Sequence, residues 1–243
     1  MTQYKTADPR WRNLYKIGGI AALMQLAAIL AMLVVMVTLG PKPTSVEEYF
    51  MLQQSNRLHS ILQGDFLLLF LIGPYIATFP ALYVALRRVS PVGTALATLM
   101  TLVVVAGFFA MESTFSLQYL GNKYAAAAGD AQRAQFLAAG EAVVASDIWN
   151  SSGGYIGGIL LQGAGVIMSV IMLRSKDFSK VTAWAGLLGN GVDLVQHVIN
   201  PFAPSISAFL KSCMGLFYIV WFPMLARDFF RLGRNTSMME ETR

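Results

Sequence analysis

The chain has 243 residues, of which 56% are hydrophobic and only 13% charged. A charged share about half that of an ordinary soluble domain excludes disorder, fibres, coiled coils and a water-soluble enzyme domain. One cysteine excludes an internal disulfide and a cysteine-rich metal cluster.

Read from the N-terminus, the first feature is a basic segment followed by an apolar run over 17–39. A secretory leader starts the same way, but its apolar core is about 7–15 residues long. This run is longer and ends Val37-Thr38-Leu39-Gly40-Pro41, without a small-x-small cleavage site, so it is read as a retained span. Pro41-Lys42-Pro43 opens the next connection. Thr44 with Glu47, and Ser45 with Glu48, have the spacing of a capping box, which predicts a helix starting there and running toward the second span. That span covers 60–86 and contains Pro74 and Pro80, each of which removes a backbone donor and can kink a helix.

The third span is predicted over 92–113. The connection 114–150 is the longest; Tyr124-Ala125-Ala126-Ala127-Ala128 and Ala138-Ala139-Gly140-Glu141-Ala142 favour helix, resting on the outer face because the apolar residues are mostly small. Spans follow over 152–173, 181–199 and 206–226. Each run approaches or exceeds the roughly 20 residues that cross a bilayer core. None alternates in polarity as the strands of an outer-membrane barrel do. The expected fold is all-α: one polytopic membrane domain over 1–243, a six-transmembrane-helix bundle with a short outer helical connection.

Lys and Arg orient it. Thirteen of the 18 basic residues fall on the N-terminus, the 87–91 and 174–180 loops and the C-terminus; the other five are Lys42, Arg57, Lys123, Arg133 and Lys211. The basic side faces the cytoplasm. Both termini are then cytoplasmic, which requires an even number of spans. The same distribution accounts for the net charge of +5 without nucleic acid as a partner. Trp11, Trp149, Trp184 and Trp221 all fall near span ends, where indole sits comfortably. In the fourth span, Gly153/Gly157 and Gly154/Gly158 are small-xxx-small pairs. They permit close helix packing inside the bundle or a homo-oligomer formed through the same glycines.

Ionisable groups inside spans are costly and face a bundle interior or water. The candidates are His59 and Asp65 at the start of the second span, Glu112 at the end of the third, Asp193 and His197 in the fifth, and Lys211 near the start of the sixth. The topology places all six in the outer half. Asp193 and His197 are four apart and share a helical face, which Asn190 extends inward. The structural expectation is that Asp65 or Asp193 pairs with Lys211 while the histidines cap helix ends. The functional expectation is an outer-facing polar cavity that binds or passes a small ligand, cation or proton. No HExxH, CxxC, GxSxG elbow or P-loop is present, so no metal, cofactor or catalytic residue is assigned. The competing readings are an intramembrane lipid-modifying hydrolase, which would need a metal or nucleophile beside His197, and a membrane scaffold subunit.

Four stretches, in order, carry a family resemblance. They are Tyr15-Lys16-Ile17-Gly18-Gly19-Ile20-Ala21-Ala22; Pro43-Thr44 with Glu47-Glu48-Tyr49-Phe50; Arg174-Ser175-Lys176-Asp177-Phe178-Ser179-Lys180 continuing through Trp184 to Asn190; and Ala226-Arg227-Asp228-Phe229-Phe230-Arg231-Leu232-Gly233-Arg234. Together they resemble a bacterial family of six-span membrane proteins catalogued as a domain of unknown function. The resemblance implies a location in the bacterial inner membrane and supplies no catalytic residues.

Overall fold

The computed structural model describes residues 9–240. Lys5 and Arg243, counted above on the basic side, lie outside the described residues. All regular structure among the described residues is helical. A short 3-10 turn, Pro9–Trp11, leads into α1 (Arg12–Leu39); α2 (Val46–Ser55), α3 (Arg57–Gln63), α4 (Phe66–Ile72), α5 (Tyr75–Leu86), α6 (Pro91–Met111), α7 (Thr114–Ala125), α8 (Asp130–Ala145), α9 (Ser152–Arg174), α10 (Lys180–Ile199) and α11 (Pro204–Glu240) follow.

Among the described residues five stretches are long and apolar enough to cross a membrane: Arg12–Leu39, Arg57–Leu86, Pro91–Ala125, Ser152–Arg174 and Pro204–Arg234. The fifth predicted span corresponds to α10, which has 20 residues. It has the length but lies below the others in hydropathy, because Asn190, Asp193, Gln196 and His197 all fall within it.

The second predicted span is not one continuous helix. At Gly64–Asp65 the backbone N–H of Asp65 donates to the Thr114 hydroxyl (3.1 Å) rather than back along the helix. At Gly73–Pro74 the ring nitrogen has no hydrogen to donate, and α5 begins afresh. Pro80, by contrast, stays inside α5. The capping box forms: Ser45 is the N-cap of α2, its hydroxyl accepting from the Glu48 N–H (3.2 Å), and the Glu48 carboxylate accepts from the Thr44 N–H (2.7 Å) and hydroxyl (2.9 Å). These bonds hold the Glu48 carboxyl below its ordinary range. The helix stops at Ser55, and Asn56 restarts the chain by capping α3 at the His59 N–H (3.0 Å). Both halves of the 114–150 connection contain a helix, and the predicted stretch Ala138–Ala142 lies within α8; of the predicted stretch Tyr124–Ala128 only Tyr124 and Ala125 are helical, the rest forming the turn between α7 and α8.

The chain gathers into two compact units. The first comprises residues up to Ala27, Gly73–Val105 and Gly157–Arg243. Its core is built from Tyr15, Phe79, Leu82, Met168, Trp221 and Phe229, all essentially inaccessible. Gly18 makes room for Ala81, which a Cβ would approach to 2.7 Å. One end of this unit is basic and tied together by specific contacts. Arg87 lies over the Trp11 ring (5.7 Å to the centroid). The Ser179 N–H (2.8 Å) and Thr182 hydroxyl (2.6 Å) donate to Asp228, and Arg231 pairs with the same carboxylate (3.2 Å). A Cβ on Gly233 would lie 3.4 Å from the Lys16 side chain. The N-terminal segment, the 87–91 loop, the 174–180 loop and the C-terminal part of α11 therefore meet at this end.

α10 is inverted relative to a water-soluble helix. Its buried face carries Asn190, Asp193 and Gln196; its exposed face carries Val181, Trp184, Leu188, Val195 and Val198. Polar inside and apolar outside is the pattern lipid demands.

The second unit comprises Ala28–Ile72 and Ala106–Ile156. Val46, Tyr49, Phe50 and Leu117 form its core, with Leu120, Tyr124, Leu137 and Val144 packed against them. This small core joins α2, α7 and α8. Gly140 permits it, because a side chain there would overlap Val46.

Candidate functional site

The six residues expected to form the site divide between the two units. Asp193, His197 and Lys211 belong to the first; His59, Asp65 and Glu112 belong to the second.

In the first unit Asp193 is buried and fully engaged. The Tyr218 hydroxyl donates to its Oδ2 (2.9 Å) and the Gln196 amide to its Oδ1 (2.9 Å). The His197 Nδ1 lies 3.1 Å from Oδ1 and 3.0 Å from the Asp193 carbonyl. The Gln196 Nε2 lies 2.5 Å from the same nitrogen, so the tautomer decides whether Nδ1 donates to the Asp193 oxygens or accepts from the Gln196 amide. Gln162 Oε1 lies 3.0 Å from the Tyr218 hydroxyl, and Ser207 donates to Gln196 Oε1 (2.9 Å). Tyr218, Gln196 and His197 are thus partners of Asp193. Glycines in α9 seat the cluster. A Cβ on Gly158 would overlap the His197 ring, and one on Gly165 the Asn190 amide. Gly154 is packed on the Ile148 backbone in the second unit. Gly157 is the roomy one, 3.7 Å from Val104. The cluster is a satisfied hydrogen-bonded hub joining α9, α10 and α11. Its one serine is committed to Gln196 rather than to His197.

In the second unit Asp65 sits at the break between α3 and α4. Its ion-pair partner is Lys42 (2.8 Å). The Trp149 indole N–H donates to the other carboxylate oxygen (2.8 Å), and the Lys42 ammonium lies 5.9 Å from the Trp149 ring centroid. Gln63 holds the loop that carries Lys42: its amide donates toward the carbonyls of Leu39 (2.9 Å), Gly40 (3.1 Å) and Pro41 (3.0 Å). Gly40 turns that loop with a φ of 79°, which only glycine adopts freely. Glu112 has a local role, accepting from the Thr114 N–H (2.9 Å) at the start of α7. His59 lies in α3 with its Nε2 buried and without a hydrogen bond.

Beside Asp65 an open cleft of about 200 Å³ is lined by Lys42, Ser45, Tyr49, Glu141, Asp147 and Trp149, among others. Asp147 shapes the turn before α9. Its Oδ1 accepts from the Trp149 N–H (2.7 Å) and from the Asn150 N–H (3.0 Å) and side-chain amide (3.2 Å). The residue is only 6% exposed and lines the cleft. Burial, reinforced by the Asp65 charge and opposed by those amide bonds, pushes the Asp147 carboxyl above its ordinary range. Burial likewise raises the Tyr49 phenol, which stays neutral and able to donate.

The cleft thus holds three carboxylates, Asp65, Glu141 and Asp147, against one ammonium, with an indole as one wall. Among the described residues no three His, Cys, Asp or Glu side chains gather closely enough to hold a metal ion. An organic cation, which can spread its contacts over two carboxylates and a ring, suits this wider spacing.

No family model, curated protein or solved structure matches the chain. Roles therefore rest on geometry. Of the cleft residues only Asp65 is picked out by the sequence, as a charge inside a span. Lys42 between two prolines and Asp147 two residues before a tryptophan were the available signals. Neither marks a site without the partner that folding brings to it.

Proposed function

We propose that the chain is a six-span, non-enzymatic protein of the bacterial inner membrane, and that its cleft beside Asp65 binds a small organic cation from the outer side. α10 supplies the sixth span; its apolar exposed face and buried polar face support that reading. The meeting of the basic segments at one end of the first unit supports both termini on the cytoplasmic side. The connections that line the cleft then face outward. The family resemblance belongs to the same proposal.

One observation carries the ligand class: in this cleft an ammonium group, that of Lys42, lies 2.8 Å from the Asp65 carboxylate and 5.9 Å from the Trp149 ring centroid. Asp147, 6% exposed and lining the same cleft, adds a second carboxylate, and a cationic N–H makes the strong, charge-assisted bond to such a group.

The test is titration of n-butylammonium onto protein in lipid nanodiscs, with n-butanol as the uncharged control. A charge-assisted hydrogen bond contributes about 1.5–3 kcal/mol, so Asp147→Asn should weaken binding on the order of ten- to hundredfold. Binding also requires the ionised carboxylate. Because the Asp147 pKa is raised on folding, ionising it costs the free protein stability, and that cost disappears as pH falls through the raised value. Affinity for the cation runs the other way, falling as the carboxyl gains its proton. Asp147→Asn should flatten this pH profile. Equal binding of n-butanol, or a pH profile unchanged in the variant, contradicts the assignment.

A further inference from the structure

We infer that the clamp formed by Asp65 and Trp149 is selective for a primary ammonium group and that Lys42 is its tethered resident, so that the ligand of the cleft is a primary amine that displaces the Lys42 side chain. The inference rests on the cation-binding reading above and sharpens it.

The structure contains one ammonium ion in this cleft, and it belongs to the chain. The Lys42 side chain is a butylammonium group fixed to the backbone. Its nitrogen lies 2.8 Å from Asp65 Oδ1 and 5.9 Å from the Trp149 ring centroid. The clamp does not depend on Lys42 for its shape. Asp65 is positioned through its backbone N–H on Thr114 and through the Trp149 indole N–H on its second oxygen. Trp149 is positioned in turn by the Asp147 turn. With Lys42 in place the Asp65 side chain is only 11% exposed; withdrawing Lys42 uncovers its carboxylate beside one aromatic face.

Lys42 is also built to be displaced. Its backbone is fixed by Pro41, Pro43 and the Gln63 amide, while its side chain is 58% exposed. An exposed ion pair contributes only about 0.2–1 kcal/mol, so the resident is held weakly and competes mainly because it is tethered. The geometry favours a primary ammonium over other cations. A quaternary ammonium can lie over the indole but has no N–H for Asp65. A primary ammonium has three N–H groups, one for Asp65 and others for the cleft.

The experiment compares n-butylammonium with tetramethylammonium on the full chain in nanodiscs, using wild type, Lys42→Met, Lys42→Gln, and Lys42→Met combined with Asp65→Asn. Removing Lys42 should raise n-butylammonium affinity about two- to fivefold, leave tetramethylammonium essentially unchanged, and lose its benefit when Asp65 is also changed. Methionine and glutamine should behave alike, since both remove only the ammonium. If both cations gain equally, Lys42 acts merely as a charge and the clamp is not selective. If wild type binds n-butylammonium in an Asp147-dependent way but neither Lys42 variant binds it better, the resident role is overturned while the cleft remains a cation site. If no variant binds either cation, the cation-binding reading itself fails.

Discussion

Asp193→Ala should destabilise the protein by about 3–5 kcal/mol, the cost of removing one member of a buried, hydrogen-bonded charge cluster. The alanine would leave the Tyr218 hydroxyl and the Gln196 amide without their acceptor, and His197 without its carboxylate. Each orphaned buried donor costs about 1–3 kcal/mol. No water can readily replace the carboxylate, because Tyr218, Gln196 and Asp193 itself are all buried. Asp193→Asn keeps one acceptor oxygen and should cost about half as much. Denaturant unfolding in mild detergent, followed by helical circular dichroism, measures both. An equal, small loss in the two variants would mean that the carboxylate does not organise α10 and α11. n-Butylammonium affinity of the folded Asp193→Asn protein should match wild type, since the proposed ligand site does not use this residue.

Gly154→Ala carries the second large effect. A Cβ at this position would overlap the Ile148 carbonyl, which is backbone and cannot rotate aside. Overpacking of this kind costs about 1–3 kcal/mol, occasionally more, and here the upper end is expected. The damage should not be confined to stability. Ile148 lies inside the turn that Asp147 caps and that presents Trp149 to Asp65, so the variant should also lose cation binding. Gly157→Ala is the matched control. Its Cβ would stand 3.7 Å from Val104, an ordinary contact. Removing a helical glycine there should be neutral or stabilise by up to about 1 kcal/mol. Thermal melts of the two variants side by side decide the matter. Equal destabilisation would show that the glycines act as a uniform stripe rather than at individual contacts.

What was legible in the sequence was local or compositional. The Ser45–Glu48 capping box can be read because its partners lie three residues apart. The long apolar runs can be read because hydropathy accumulates along a window. The cleft could not be read in the same way. Lys42 and Asp65 are 23 residues apart, and Trp149 is 84 from Asp65. No periodicity links them, and the charge that drew attention to Asp65 does not name its partner. Charge alone suggests Lys211 as readily as Lys42, and Lys42 is delivered by a loop whose path depends on one glutamine amide. The break at Gly64–Asp65 is equally tertiary in origin, since it requires the Thr114 hydroxyl from another helix. α10 shows the opposite case. Its polar residues lower its mean hydropathy, but their three-to-four spacing already implied a single stripe, and the structure turns that stripe inward.

The central claim is that the Asp147 oxygen receives a cationic group in the cleft. The most direct measurement is an experimental structure of the protein with 4-bromobutylammonium, located by the anomalous signal of bromine. One bromine site is expected at the cleft mouth, with the ammonium nitrogen within hydrogen-bond distance of Asp147, and no such site in Asp147→Asn. Bromine density elsewhere on the chain and none in the cleft, or density in the cleft that persists unchanged in the variant, would contradict it.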